Sequence, residues 1–439
     1  MKNLAATLIV FYACAAAQPQ PTAVAIRNAR IVTVSGSPIA KGTIVIRNGL
    51  IEAVGDSIQA PSDALVIDGE GLTVYPGLVD ALSTWGMPGT AANGRGGRGA
   101  VTPAPAAPPS RGPEDRPATT SWIKAADEIQ ATDRRIEAAR NAGFTTAVVF
   151  PTRGIFGGQG SIINLADAKS EGMVLVPSAG QYITLGRATS GYPNALMGSI
   201  AYIRQIYLDA EHYRLVKEAY DKNPRGMKRP EYDRALEGVL ESKRILLPAN
   251  REVEIDRMLH FAAELKQPAI LYGMREGYRA AEVLKKSSIP VLVSLKWPAK
   301  TADSNPDEVD TYRTLEDREK APTSPRVLRQ AGVKFAFYSD GIDQTRELQR
   351  AVKKAIDSGL SREDAVRALT LSPAEIYSVA DRLGSLEKGK IANLVVTRGE
   401  IFEDRTHVEM VFVDGVKHIP APEPAGRGGA PTENPGAEK

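Results

Sequence analysis

The chain has 439 residues, 43% hydrophobic and 24% charged, long enough to bury a sizeable core and within the range of ordinary globular proteins. Lys and Arg number 55 against 52 Asp and Glu, and a net charge of +3 gives little electrostatic drive toward nucleic acid or an anionic membrane surface. No basic run is interleaved with aromatic residues, so nucleic acid is set aside as a partner.

The first seventeen residues read as an export signal. Lys2 is the positive start, Leu4–Ala17 is an apolar run short of a bilayer span, and Ala15-Ala16-Ala17 supplies small residues ahead of the polar, Pro-rich Gln18–Pro21. Two alternatives are an N-terminal membrane anchor and a lipoprotein linked through Cys14, for which Phe11 and Tyr12 make a poor lipobox. Cys14 is the sole cysteine, so a chain cut after Ala17 has neither a disulfide framework nor a thiolate ligand. No later stretch approaches a membrane span, and the expected location is periplasmic or extracellular.

Residues 22–75 read as short strands: Ala29–Val34, Gly42–Arg47, Leu50–Gly55 and Ala64–Asp68, with Asn48-Gly49 as a tight hairpin turn. The same texture returns over 387–419, in Ile391–Val396 and Val408–Val413, with Asp414-Gly415 as the turn. These two ends predict one composite β-sandwich domain.

Between them, residues 76–386 alternate apolar runs with amphipathic segments. The runs are Thr145–Phe150, Met173–Pro177, Ile245–Leu247, Ala269–Tyr272, Val291–Leu295 and Lys334–Tyr338. The pattern predicts an α/β fold, a (β/α)8 TIM-like barrel with its site at the C-terminal strand ends. Over 251–266, Ile255, Met258, Leu259, Ala262 and Leu265 recur at helical spacing. Ser361 with Asp364, and Ser372 with Pro373 and Glu375, mark helix starts. Gly157–Gly160 reads as a turn near strand three and lacks the spacing of a phosphate or dinucleotide cradle. Residues 91–117, rich in Gly, Arg, Ala and Pro, read as a flexible insertion, either a flap over the barrel mouth or a segment without function; 420–439 read as a disordered tail.

The run Val74–Asp80 resembles the first barrel strand of the amidohydrolase superfamily, and Arg382–Leu394 resembles its C-terminal motif, with Asn393 where members usually carry Asp. The similarity is greatest to the imidazolonepropionase-like branch. It implies metal-dependent hydrolysis of non-peptide C–N bonds, in which zinc lowers the pKa of bound water and polarises the scissile carbonyl. It also implies a ligand set: Asp-x-His-x-His on strand one, single histidines on strands five and six, and an aspartate on strand eight.

Here strand one reads Asp80-Ala81-Leu82-Ser83-Thr84, placing Leu82 and Thr84 at the two histidine positions. Pro248 and Tyr272 align with the histidines of strands five and six, and Asp340 with the aspartate of strand eight. Leucine cannot ligate, and a neutral threonine hydroxyl is a poor zinc ligand. Of the four histidines, His407 and His418 fall in the C-terminal sheet, His260 on the solvent side of a helix, and His212 alone could reach the mouth. A multi-histidine zinc site cannot be built from these, and no cofactor is predicted. Asp80, Glu114, Asp115 and Asp340 are either ligands for a harder ion or rim charges.

Three functional readings follow. The chain is a homologue without metal hydrolysis, binding a small molecule or protein partner at the barrel mouth through Tyr272, Lys296, Trp297 and Asn250. Alternatively it is a hydrolase with Asp340 as general base, or an exported structural protein. Lys296 either compensates Asp340 in place of the metal or points to solvent, Asp340 then accepting bonds from backbone amides and Ser339.

Overall fold

At Gly77 the chain passes from one sheet to another. Its N–H donates to the Asn393 carbonyl at 2.8 Å, and a Cβ here would lie 2.1 Å from the Thr145 hydroxyl, so a larger residue has no room. The molecule is seen as a computed structural model that describes residues 23–88, 116–167, 170–186, 192–300, 309–342, 344–403 and 406–420. The expected export signal with Cys14, the insertion up to residue 115 with Glu114 and Asp115, and the tail beyond Pro420 lie outside the described residues. No helix among the described residues is long and apolar enough to cross a membrane.

Before Gly77 come β1 (Ala23–Ile31), β2 (Ile39–Arg47), β3 (Leu50–Gly55), β4 (Ala64–Asp68) and β5 (Thr73–Pro76). After it come β6 (Leu78–Ser83), β7 (Phe144–Val149), β8 (Phe156–Asn164), β9 (Val174–Ile183), β10 (Ile245–Ala249), β11 (Ala269–Gly273), β12 (Val291–Ser294) and β13 (Phe335–Tyr338). The chain ends in β14 (Leu394–Arg398), β15 (His407–Val413) and β16 (Val416–His418).

The first sheet runs β16-β15-β14-β5-β1-β2-β3, with β4 on β1, so both ends of the chain share it. Both expected hairpin turns form with two consecutive positive φ values, 51° and 77° at Asn48 and Gly49, 52° and 75° at Asp414 and Gly415. They also pack on each other. A Cβ on Gly415 would lie 2.8 Å from the Gly49 Cα.

The second sheet holds β6 to β13 in sequence order, with β13 against β6 to complete the barrel. Its apolar runs are buried on both faces. Leu246, Ile270, Leu292 and Ala336 point into the barrel, while Leu247, Leu271, Val293 and Phe337 point out under the helices. The Glu252–Leu265 helix meets them with Ile255, Met258, Leu259, Phe261, Ala262 and Leu265, the expected stripe with Phe261 added.

Three local expectations need correction. Gly157–Gly160 is not a turn but part of β8, which runs antiparallel to both β7 and β9. Glycine is needed there because a Cβ on Gly160 would lie 2.1 Å from the Phe150 ring, and one on Gly157 2.3 Å from the Pro151 carbonyl. The fourth strand does not stop at Pro177. A register shift between Gly160 and Ile162 absorbs the irregularity, and β9 continues to Ile183. Ser372 is not a cap either, since its helix, Leu371–Ile376, starts two residues earlier than expected, behind Thr370. Ser361 does cap, accepting from the Asp364 N–H at 3.0 Å.

Candidate ligand site at the barrel mouth

Side chains alternate along each strand, which makes Tyr182, Tyr272 and Tyr338 the last inward residues of β9, β11 and β13. Tyr182 and Tyr272 stack with centroids 5.3 Å apart, and Tyr338 meets Tyr272 edge-on at 6.4 Å. Phe150, just past β7, lies 5.7 Å from Tyr182, and the Tyr272 hydroxyl donates to the Ile183 carbonyl at 3.1 Å. With buried Leu82 in the same apolar cluster, these rings fill the end of the barrel where this architecture places its sites.

Two carboxylates stand beside the rings. Asp80, on β6, is wholly buried and accepts from Ser339 twice, at Oδ1 from the N–H and at Oδ2 from the hydroxyl. Burial pushes its pKa up to about 7, against the lowering effect of those bonds. Asp340 follows β13 with φ 51°, a left-handed conformation that Asp tolerates, and Gly341 continues the turn at 78°. Its exposed side chain accepts from the Ser294 hydroxyl at 2.7 Å.

Lys296 does not take the place of a metal at Asp340. It is exposed, and among the described residues no ion pair joins the two; its N–H donates to Ser294 Oγ at 3.0 Å. Ser339, the other expected partner of Asp340, is bonded to Asp80 instead. Trp297 is half-buried against the outer core and donates its indole N–H to Ala351 in the Thr345–Asp357 helix. Asn250 is exposed, and its N–H donates to Glu254. Thr84 accepts from the Arg135 guanidinium, which also binds its carbonyl. His212 and His407 are exposed, His260 lies on the solvent side of its helix, and His418 pairs with Asp167 at 3.4 Å.

Sequence reasoning missed Tyr182, Tyr338, Phe150 and Ser294 as mouth residues. Tyr338 was legible as the inward last residue of a predicted strand. Tyr182 was hidden because that strand seemed to end at Pro177.

These residues do not fit a zinc ion. A tyrosine ligates well as the anion, and burial holds Tyr272 and Tyr338 well above the ordinary tyrosine pKa, with the Asp340 charge pushing the same way. Both Asp80 oxygens are bonded to Ser339, Thr84 faces a guanidinium, and Pro248 and Leu82 have no donor atom to offer. Among the described residues no three His, Cys, Asp or Glu side chains converge.

A model of the amidohydrolase family matches residues 305–417, inside the barrel and the C-terminal strands. The amidohydrolase of Thermotoga maritima MSB8 superposes with a TM-score of 0.72 at 26% identity, covering 90% of this chain and 99% of that one. The chain belongs to the amidohydrolase superfamily. Amidohydrolase tasK of Hapsidospora irregularis is 21% identical over 412 residues, 87% of this chain. The chain spans only 40% of the length of that relative. A putative prolidase from Bifidobacterium longum, 17% identical with a TM-score of 0.54 over 93% of this chain and 97% of its own, shares the fold. Counting along this amidohydrolase barrel from β6, β10, β11 and β13 are strands five, six and eight. Pro248 and Tyr272 are register partners at the ends of strands five and six, and Asp340 closes strand eight.

Proposed function

We propose that this amidohydrolase has given up metal-dependent hydrolysis of C–N bonds and binds a small molecule or protein partner at its barrel mouth. The observation that carries this is Tyr272. At the end of strand six, where the resemblance places a histidine, it is a neutral phenol stacked on Tyr182 and bonded to a backbone carbonyl. Metal analysis of the purified chain tests the proposal. The expected result is well under one zinc per chain and a melting temperature that a chelator leaves unchanged, because no metal-linked stability is there to lose. Stoichiometric zinc carried through purification, or a large drop in melting temperature with chelator, overturns it.

One observation favours a second reading. Asp340 is exposed at the mouth and, among the described residues, its side chain takes a single hydrogen bond, from Ser294, which leaves it free to act as a general base. Hydrolysis of an amide or lactam by metal-free protein, abolished in Asp340→Asn, would establish that reading over the first.

A further inference from the structure

The concave space on the mouth side lies off the barrel axis. The Glu252–Leu265 and Gly277–Ser287 helices begin just after β10 and β11, and the Tyr312–Lys320 helix lies in the connection from β12 to β13. Between them are two adjoining cavities of about 580 and 550 Å³ that share Arg251, Glu276, Arg313 and Asp317. Six arginines and four carboxylates line them. Three of the arginines are closely paired, Arg251 with Glu254 at 2.7 Å, Arg279 with Glu316 at 2.6 Å and Arg318 with Asp310 at 2.5 Å. The other three are not.

Arg313 reaches Glu276 only at 3.4 Å, and Arg275 reaches Asp317 only at 3.6 Å. Arg257 is exposed and, among the described residues, makes no ion pair. Asp317 Oδ1 is buried with no hydrogen-bond partner, and burial raises that carboxyl's pKa, which weakens its claim on the neighbouring arginines. Arg257, Arg275 and Arg313 thus keep donor capacity that the acidic residues do not fill closely. Guanidinium groups match the geometry of carboxylates and phosphates, each able to make two parallel charge-assisted bonds.

We propose that this groove binds a small soluble ligand carrying two or more oxyanion groups, carboxylates or phosphates. Arg257 and Arg313 hold one group in the first cavity, and Arg275 with Arg313 holds another in the second. The inference goes beyond the loss of metal chemistry and uses none of the residues on which that proposal rests. Zinc in the protein would sink that proposal and leave this one standing; a failure to bind anions would do the reverse.

The test is calorimetric titration of the full chain with citrate and with inorganic pyrophosphate, against sodium chloride at matched ionic strength. Saturable binding of at least one probe is expected, with a dissociation constant below about 1 mM and weakening as salt rises. Which probe binds more tightly separates carboxylate from phosphate chemistry. The double variant Arg257→Gln, Arg313→Gln should weaken binding about tenfold or more. Lys228→Gln, outside the groove, should leave it unchanged. Both arginine side chains are exposed, so the variant is expected to fold, and its melting curve checks this. Absence of saturable binding with either probe, or undiminished affinity in a folded double variant, overturns the inference.

Discussion

Ser339 donates to both oxygens of Asp80, through its N–H at 3.0 Å and its hydroxyl at 2.5 Å. Asp80 lies on β6 and Ser339 directly follows β13, so this pair joins the first and last barrel strands at the seam. Barrel closure and the site's one wholly buried carboxylate are the same contact.

Asp80 makes stability depend on pH in an unusual direction for an acid. Its pKa is about 7 in the folded chain and near 4 when unfolded. Between those values the native state binds a proton that the unfolded state does not, so this group's contribution falls as pH rises from about 4 to 7. Thermal melts across that window should show a downward component in the wild type that is absent from Asp80→Asn. Parallel pH profiles for the two proteins would refute the assignment.

Ser339→Ala removes the hydroxyl donor and leaves the backbone one. At pH 8, with Asp80 ionised, the cost should be about 2 kcal/mol, and at pH 5, with Asp80 protonated, about half that. Chemical denaturation at the two pH values reads the difference. An equal cost at both would mean that the hydroxyl does not recognise the charge.

Gly77→Ala and Gly160→Ala each place a Cβ 2.1 Å from a buried neighbour, Thr145 in one case and Phe150 in the other. Each should destabilise by about 2–4 kcal/mol, because Thr145 on β7 and Phe150 just past it are fully buried in close-packed surroundings and cannot retreat. Thr145→Ala should rescue Gly77→Ala only in part, since the Thr145 Cβ is itself 2.7 Å from the new atom. Midpoints of urea unfolding provide the measurement.

Asn393 is buried between the two sheets. It donates to Thr146 Oγ1 at 3.0 Å and Asn164 Oδ1 at 2.8 Å, and accepts from the Asp414 N–H at 2.8 Å. Asn393→Leu removes all three bonds, leaving the Asp414 N–H without this acceptor and Thr146 and Asn164 with only their 3.3 Å bond to each other, and should cost about 3 kcal/mol. Asn393→Asp should cost less, because Asn164 can turn its amide to donate. A more severe loss with Asp than with Leu would show that Asn164 is locked.

The sequence by itself determined the elements whose physics is local. Asn48-Gly49 and Asp414-Gly415 accept consecutive positive φ values, so the hairpins were legible, as was the stripe of the Glu252–Leu265 helix. Alternating apolar runs similarly foretold a barrel, and the expectation that Leu82, Thr84, Pro248 and Tyr272 stand at histidine positions comes from the family resemblance. Only the tertiary structure decided what depends on residues far apart. Gly157–Gly160 looks like a turn until the Phe150 ring and the Pro151 backbone are placed against it. Tyr182 reaches the mouth because a register shift prolongs β9. Ser339 meets Asp80 rather than its neighbour Asp340 because the barrel closes there, and Ser294, from the adjacent strand, takes Asp340. Hydrogen bonds between serines and carboxylates at the seam leave no periodic trace along the chain. They exist only when distant strand ends are brought within 3 Å.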